Sequence, residues 1–344
     1  MRRLSSAPLL LLLLAGCGGG GTAGTGDDGA LVVMTRNLYL GAPLEPLQQV
    51  AGLSQLPAAV GATWRTVQAS DVPGRMERVV DEIVAARADV VALQEAALFE
   101  VRPLLSTGPA TEVLDFLQLL LDGLHGRGHD YVAAGTSTNA EVELPDDSGQ
   151  LVHFADRDAV LVRSGVRVSA VTSGRYSTLA EVPAGLFAAT IPRGWLRLEL
   201  TVEGRTLALV ATHLEIETFR AVQEAQAQEL VRLLPPLGDL LVAGDFNSAA
   251  DGSTTASYGI LAGAGLEDPW TALRPGDPGF TCCFAGDLRS PAAALTARID
   301  LVLRRGALTP SAVELVGATP ASITAGGLHA SDHAGVVTTF PGGP

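Results

Sequence analysis

The sequence predicts an α/β protein with mixed β-sheets covered by helices, and three observations carry that prediction. Short apolar runs such as Val90-Val91-Ala92-Leu93 and Leu240-Leu241-Val242-Ala243 have the length and composition of buried strands. Segments with apolar residues at helical spacing lie between such runs. One pair of longer runs, joined at Glu203-Gly204-Arg205, reads as an antiparallel hairpin. Helices interleaved with strands, together with a hairpin, require mixed sheets with helices packed on them.

Taken in order, Ala30 to Thr35 is the first strand and leads to Asn37. Met76, Val79, Val80, Ile83 and Val84 mark a helix that ends at Asp89. The strand Val90 to Leu93 follows at once and stops at Gln94-Glu95. Val113, Leu114, Leu117, Leu120, Leu121 and Leu124 predict a second helix, broken at Gly126 and Gly128. Ala159 to Val162 is another short strand. The hairpin arms are Trp195 to Val202 and Thr206 to His213. A helix from Phe219 to Leu234 is stopped by Pro235-Pro236. Strands over Leu240 to Ala243, Ile299 to Leu303 and Gly335 to Thr339 complete the set, and segments 41–74 and 134–157 read as loops.

Composition sets limits on what this fold does. The chain has 344 residues, 47% hydrophobic and 17% charged, which excludes intrinsic disorder as its main state. No linker or repeat appears after Gly29, so residues 31–341 are expected to form one domain. All 23 basic residues are Arg, a bias that reflects the base composition of a genome rather than a mechanism. The net charge is −14, and loss of Arg2 and Arg3 with a leader would take it to −16. A sequence-independent grip on nucleic acid needs a basic surface, so there is no strong nucleic-acid footprint. An enzyme that meets phosphate through a metal ion is not excluded, because a bound cation inverts the local electrostatics.

The N-terminus reads as an export signal: Arg2-Arg3, the apolar run Leu9 to Leu14, then Leu14-Ala15-Gly16-Cys17. The apolar run is far shorter than the ~20 residues that span a bilayer. Its Leu-Ala-Gly-Cys ending is similar to a bacterial lipobox, which implies cleavage before Cys17 and a lipid on that residue; an ordinary signal peptide is the alternative. Residues 1–16 are then a leader and 17–30 a Gly-rich tether. The expected location is the bacterial cell envelope, with the protein held at the membrane through Cys17. The remaining cysteines, Cys282 and Cys283, are adjacent. Because a normal disulfide prefers Cα atoms about 5.5 Å apart and neighbours sit about 3.8 Å apart, a vicinal bridge would be strained and is the alternative, and free or packed thiols are expected there. No Cys/His cluster with structural-zinc spacing occurs.

Polar residues fall at or just past the ends of apolar strands: Asn37, Glu95, His213, Asp245 with Asn247, Asp300, and Asp332 with His333. Strand ends on one rim of a sheet converge on a cleft. Glu, Asp and Asn oxygens suit a hard cation such as Mg²⁺, and two histidines supply proton transfer or hydrogen bonds to developing charge. Each residue alone is a common turn or cap residue; the ordered set is what points to a site. No Cys or Ser nucleophile in an elbow pattern and no Walker-type glycine loop is present.

In these residues the chain resembles the endonuclease/exonuclease/phosphatase superfamily of metal-dependent phosphoesterases. The matching stretches are Met34-Thr35-Arg36-Asn37-Leu38-Tyr39-Leu40-Gly41, Leu93-Gln94-Glu95 and Ala211-Thr212-His213-Leu214. Gly244-Asp245-Phe246-Asn247-Ser248, Arg298-Ile299-Asp300-Leu301-Val302 and Ser331-Asp332-His333 complete them, in the family's order and over nearly all of the chain after Gly29. The resemblance implies a four-layer α/β sandwich of the DNase I type: two mixed, mostly antiparallel β-sheets packed together and flanked by helices. It implies that Glu95 is the main metal carboxylate, with Asn37 as metal or phosphate ligand and Asp332 assisting the metal or His333. Asp245 would orient or deprotonate the attacking water, and Asn247 would hold a phosphate oxygen. His213 and His333 would stabilise phosphoryl charge or protonate the leaving oxygen, and Asp300 would orient a histidine. Asp158 lies where many members have a turn before a strand and is given no role; Arg193 and Trp195 are candidates for the pocket border, with core packing the stronger reading for Trp195.

The implied function is divalent-metal-dependent hydrolysis of phosphate esters, with Mg²⁺ as cofactor and Mn²⁺ or Ca²⁺ as alternatives, by a monomer. A nuclease, a sphingomyelinase- or phospholipase C-like lipid phosphodiesterase and a phosphatase of small soluble phosphates compete as substrate classes. An inactive envelope binding protein of the same fold is the non-enzyme alternative. Leu179 to Ile191 is the nearest candidate for a lipid-contacting segment.

Overall fold

The computed structural model describes residues 29–342 apart from 185–186, 203 and 292–293. The leader and Cys17 lie outside the described residues. In chain order the first half gives β1 (Leu31–Asn37), α1 (Glu45–Gln48), α2 (Leu56–Ala69), α3 (Val72–Ala86), β2 (Val90–Gln94) and β3 (Leu98–Pro103). It continues with β4 (Glu112–Asp115), α4 (Phe116–Gly126), β5 (Tyr131–Pro145) and β6 (Gln150–Arg163). The second half gives β7 (Arg167–Arg175), β8 (Ala180–Ala184), β9 (Phe187–Ile191), β10 (Gly194–Val202), β11 (Arg205–His213) and α5 (Arg220–Leu233). Then come β12 (Leu240–Asp245), α6 (Ser257–Gly263), α7 (Pro269–Leu273), β13 (Asp300–Arg305), β14 (Ala312–Val316) and β15 (Gly335–Phe340).

These strands make two large sheets. One has eight strands, ordered β14-β15-β1-β2-β6-β3-β4 with β5 also on β6; the other is β13-β12-β11-β10-β7. Among the described pairs only β1–β2 and β11–β12 are parallel. Because side chains alternate along a strand, each central strand feeds two apolar layers. Val33, Val90, Ala92, Leu209, Ala211, Leu241 and Ala243 meet between the sheets. Met34, Val91 and Leu93 point the other way, onto Val60 and Trp64 of α2, Met76 and Val80 of α3 and Phe116 of α4. Val210, Val242 and Leu301 pack on Ala227 and Leu230 of α5 and Leu261 of α6. The result is helix, sheet, sheet, helix: the four-layer sandwich. Burial on both faces explains why these strands read as unbroken apolar runs.

Several elements differ from the sequence reading. Val113 and Leu114 belong to β4, and α4 starts only after Asp115, whose carboxylate accepts from the Gln118 amide as an N-cap. Residues 41–74 hold α1 and α2 rather than a loop, and 134–157 form most of the long β5–β6 hairpin. Within Leu179 to Ile191, β8 and β9 pair as antiparallel strands. Cys282 and Cys283 are not free thiols: their sulfurs are joined as a vicinal disulfide, with the Cα atoms 3.0 Å apart across a cis peptide bond, closer than a trans link permits.

Candidate active site

Topology brings the polar residues to one rim. β1 and β2 are parallel and end together, with Asn37 paired to Gln94 and Glu95 next in line. β11 and β12 are also parallel, and end with His213 opposite Asp245. β13 runs against β12, so it begins here, with Asp300 opposite Asp245. β15 runs against β1, so the Ser331-Asp332-His333 turn enters from the same side. Gly244 permits the close approach of β12 to β11: a Cβ there would sit 1.9 Å from the Thr212 carbonyl oxygen.

At the centre Asn37, fully buried, joins the two sheets. Its Nδ2 donates to Glu95 Oε1 and to Asp245 Oδ2, each at 3.1 Å, and its Oδ1 accepts from the Tyr39 amide at 2.9 Å. The Leu40 amide donates to Glu95 Oε2 at 2.8 Å. Asp245 Oδ1 accepts from the Asn247 amide at 2.8 Å, and Asn247 Nδ2 donates to the Leu214 carbonyl at 3.0 Å. His333 Nδ1 lies 2.8 Å from Asp300 Oδ2 and 3.9 Å from Asp245 Oδ2, and its Nε2 is 3.9 Å from Asp332 Oδ1. His213 Nε2 is 3.6 Å from Asp245 Oδ2. Every strand-end residue singled out from the sequence therefore lies in one cluster.

The sequence reading missed part of it. Asp158, given no role there, faces His213 Nδ1 at 3.7 Å. Asp156 and Glu215, not singled out at all, stand 3.8 and 3.6 Å from the Arg193 guanidinium, whose Nη1 lies 3.1 Å from His213 Nδ1. Period 2 was the available signal for Asp156, which shares a strand face with Asp158. Trp195 is half-buried against the α5 side of its sheet, as expected of a core residue.

The electrostatics are those of crowded carboxylates. Burial, then Asp332 and Asp156, push the Glu95 carboxyl up to about 8. Burial raises Asp332 as well, against the pull of His333 and Arg75. Burial acts to lower His333, but Asp300, Asp332 and Asp245 outweigh it and carry the imidazole well above its usual range. Burial and the neighbouring Arg193 hold His213 down to about 4, so it is neutral at physiological pH. Buried oxygens of Asp158, Asp156, Glu215 and Asp300 lack hydrogen-bond partners. Unpartnered hard oxygens beside carboxylates that resist ionisation fit a divalent cation, which would relieve the repulsion.

A four-layer sandwich with a carboxylate, amide and imidazole cluster on its rim defines a phosphoester hydrolase of the nuclease and phosphatase class. The chain belongs to the endonuclease/exonuclease/phosphatase family, whose model matches residues 66–333; members generally depend on a divalent metal. Solved structures show the same fold. A family protein from Leptotrichia buccalis C-1013-b has a TM-score of 0.57 at 15% identity, covering 90% of this chain and 99% of that one. One from Beutenbergia cavernae DSM 12333 has 0.58 at 21% identity, covering 91% and 72%. D. rerio TDP2, solved with a single-strand DNA product, has 0.54 at 17% identity, covering 91% and 99%. No curated protein matches the chain.

Proposed function

We infer that the protein is a divalent-metal-dependent hydrolase of phosphate esters, held at the bacterial cell envelope through a lipid on Cys17. The observation that carries the catalytic part is the Asn37 amide, which ties Glu95 to Asp245 across the two sheets at 3.1 Å on each side. The carboxylate for the cation and the carboxylate for water are thus one side chain apart. Glu95, assisted by Asp332, would hold the ion; Asn37 as found offers its donor, since its carbonyl is taken by Tyr39. When bound, Mg²⁺ or a similar ion supplies positive charge to the phosphate oxygens and the leaving oxygen. Asp245 accepts a proton from, or orients, the attacking water. His333, anchored by Asp300 and charged, donates to the phosphoryl or leaving oxygen, while neutral His213 hydrogen-bonds beside it. Asn247 holds a non-bridging oxygen.

The test is a hydrolysis panel of bis-p-nitrophenyl phosphate, DNA, sphingomyelin and inositol phosphates, with Mg²⁺, Mn²⁺, Ca²⁺ or chelator. Turnover of at least one substrate that chelation abolishes is expected. Turnover indifferent to chelator, or none with any ion, overturns the reading.

A further inference from the structure

The 281–284 segment grips the catalytic turn from both sides. The Ala334 amide donates to the Thr281 carbonyl at 2.7 Å, and the Phe284 amide to the Asp332 carbonyl at 2.8 Å. Cys282 therefore forms an antiparallel bridge with His333. Thr281 Oγ1 also accepts from the Asp300 amide at 3.2 Å, so the same segment braces the carboxylate that anchors the imidazole. The sulfurs of Cys282 and Cys283 and a ring nitrogen of His333 all lie within 4.8 Å of one another. Cys282 is buried and Cys283 exposed, which gives a reagent access to the pair from solvent.

We propose that Cys282, Cys283 and His333 form an inhibitory site for a thiophilic cation, such as Zn²⁺ or trivalent arsenic, that opens only when the vicinal disulfide is reduced. Two thiolates and an imidazole are a soft donor set, unlike the oxygen set at Glu95. Zinc bonds of about 2.3 Å to sulfur and about 2.0 Å to nitrogen set such donors about 4 Å apart, so the two sulfurs separate once their bond is reduced while the imidazole is already within reach. His333 keeps its Nδ1 contact to Asp300 and has Nε2 for the ion, the carboxylate–histidine–metal arrangement that orients a ligand. The steps balance. A dithiol reductant gives two electrons and two protons, the Cys282–Cys283 bond breaks to two thiols, and the reductant closes its own disulfide. Binding of Zn²⁺ then releases the two thiol protons and the Nε2 proton of the charged His333 to solvent. With His333 occupied, the phosphoryl group loses its imidazole donor.

This rests on the catalytic reading of His333, and the experiment separates the two. The full chain is reduced, freed of reductant, and titrated with Co²⁺ as a spectroscopic stand-in for zinc and with phenylarsine oxide. The oxidised protein is the control, together with Cys282→Ser/Cys283→Ser. One equivalent of arsenical adduct by mass and a thiolate-to-cobalt charge-transfer band are expected in the reduced protein only. Turnover at saturating Mg²⁺ should fall about 100-fold, the scale that a positioned acid–base group contributes. The double Ser variant should keep basal turnover and lose the inhibition. No adduct and no band in the reduced protein overturns the site. Binding with unchanged turnover removes His333 from it. A band in a protein that hydrolyses nothing leaves the site standing and refutes the proposed function instead.

Discussion

Asn37 Nδ2 and Asp245 Oδ2 lie 3.1 Å apart although they close different sheets, one at the end of β1 and one at the end of β12. The bond is buried, and the same nitrogen serves Glu95. Replacing Asn37 with Ala leaves Glu95 and Asp245 facing each other without the shared donor between them. That should cost about 1–3 kcal/mol of stability and most of the turnover. Urea unfolding and kcat measured together check it; full activity in a destabilised protein would make Asn37 a packing residue only.

Glu95→Gln should abolish hydrolysis and leave the fold intact. The residue follows a strand, is half-buried, and is not part of the apolar layers. The amide keeps its shape but removes a charge from the cation site. Wild-type turnover of Glu95→Gln at limiting Mg²⁺ would show the metal assignment to be wrong.

Asp245 and His333 should behave as a unit. Asp245 Oδ2 lies 3.9 Å from His333 Nδ1, and both roles mature only as phosphoryl charge develops. The double variant Asp245→Asn/His333→Ala should be little slower than the worse single one. Multiplicative losses in kcat would mean independent action, and a rise in KM alone would make them substrate binders.

His213 sets an acid limb of stability. In the unfolded chain it takes up a proton near pH 6.5, whereas in the fold burial and Arg193 hold that step down to about 4. The depressed value makes the neutral form the folded one. Its contribution is complete above about pH 6.5 and is lost as pH falls toward 4. Relative to His213→Gln, the wild type should lose roughly 2–3 kcal/mol between about pH 7 and about pH 4.5. Equal losses in the two proteins, by urea unfolding at both pH values, would remove His213 from this role.

The anchor gives a separate outcome. Cys17→Ser should leave the protein in the soluble fraction after cell lysis, because a short apolar leader does not hold a processed chain. Recovery of the variant in the membrane pellet at the wild-type level would end the lipoprotein reading.

The central strands were legible because burial on both faces leaves unbroken apolar runs, and the site residues because they cap those runs. Edge elements were not. β5 and β6 pair over most of their length, yet β5 exposes one face and carries register shifts at Ala133/Gly135 and Thr138/Ala140, so its pattern never settles into clean alternation. Val113 and Leu114 continue the helical spacing of α4 by coincidence, and Asp115 decides the boundary through its cap. Asp156 and Glu215 escaped because a carboxylate shows its role only through what lies across the fold from it. Here that is Arg193, which enters at 3.8 and 3.6 Å from the start of β10.

The apolar layer between the sheets acquires a second meaning from this arrangement. Val33, Ala92, Leu209 and Ala243 touch no reacting atom, but their summed thickness sets how far apart the β1 and β12 rims stand. A methylene gained or lost there shifts one half of the catalytic constellation against the other. The interior thus works as a spacer gauge for the chemistry, and its tolerance is narrower than folding alone would impose.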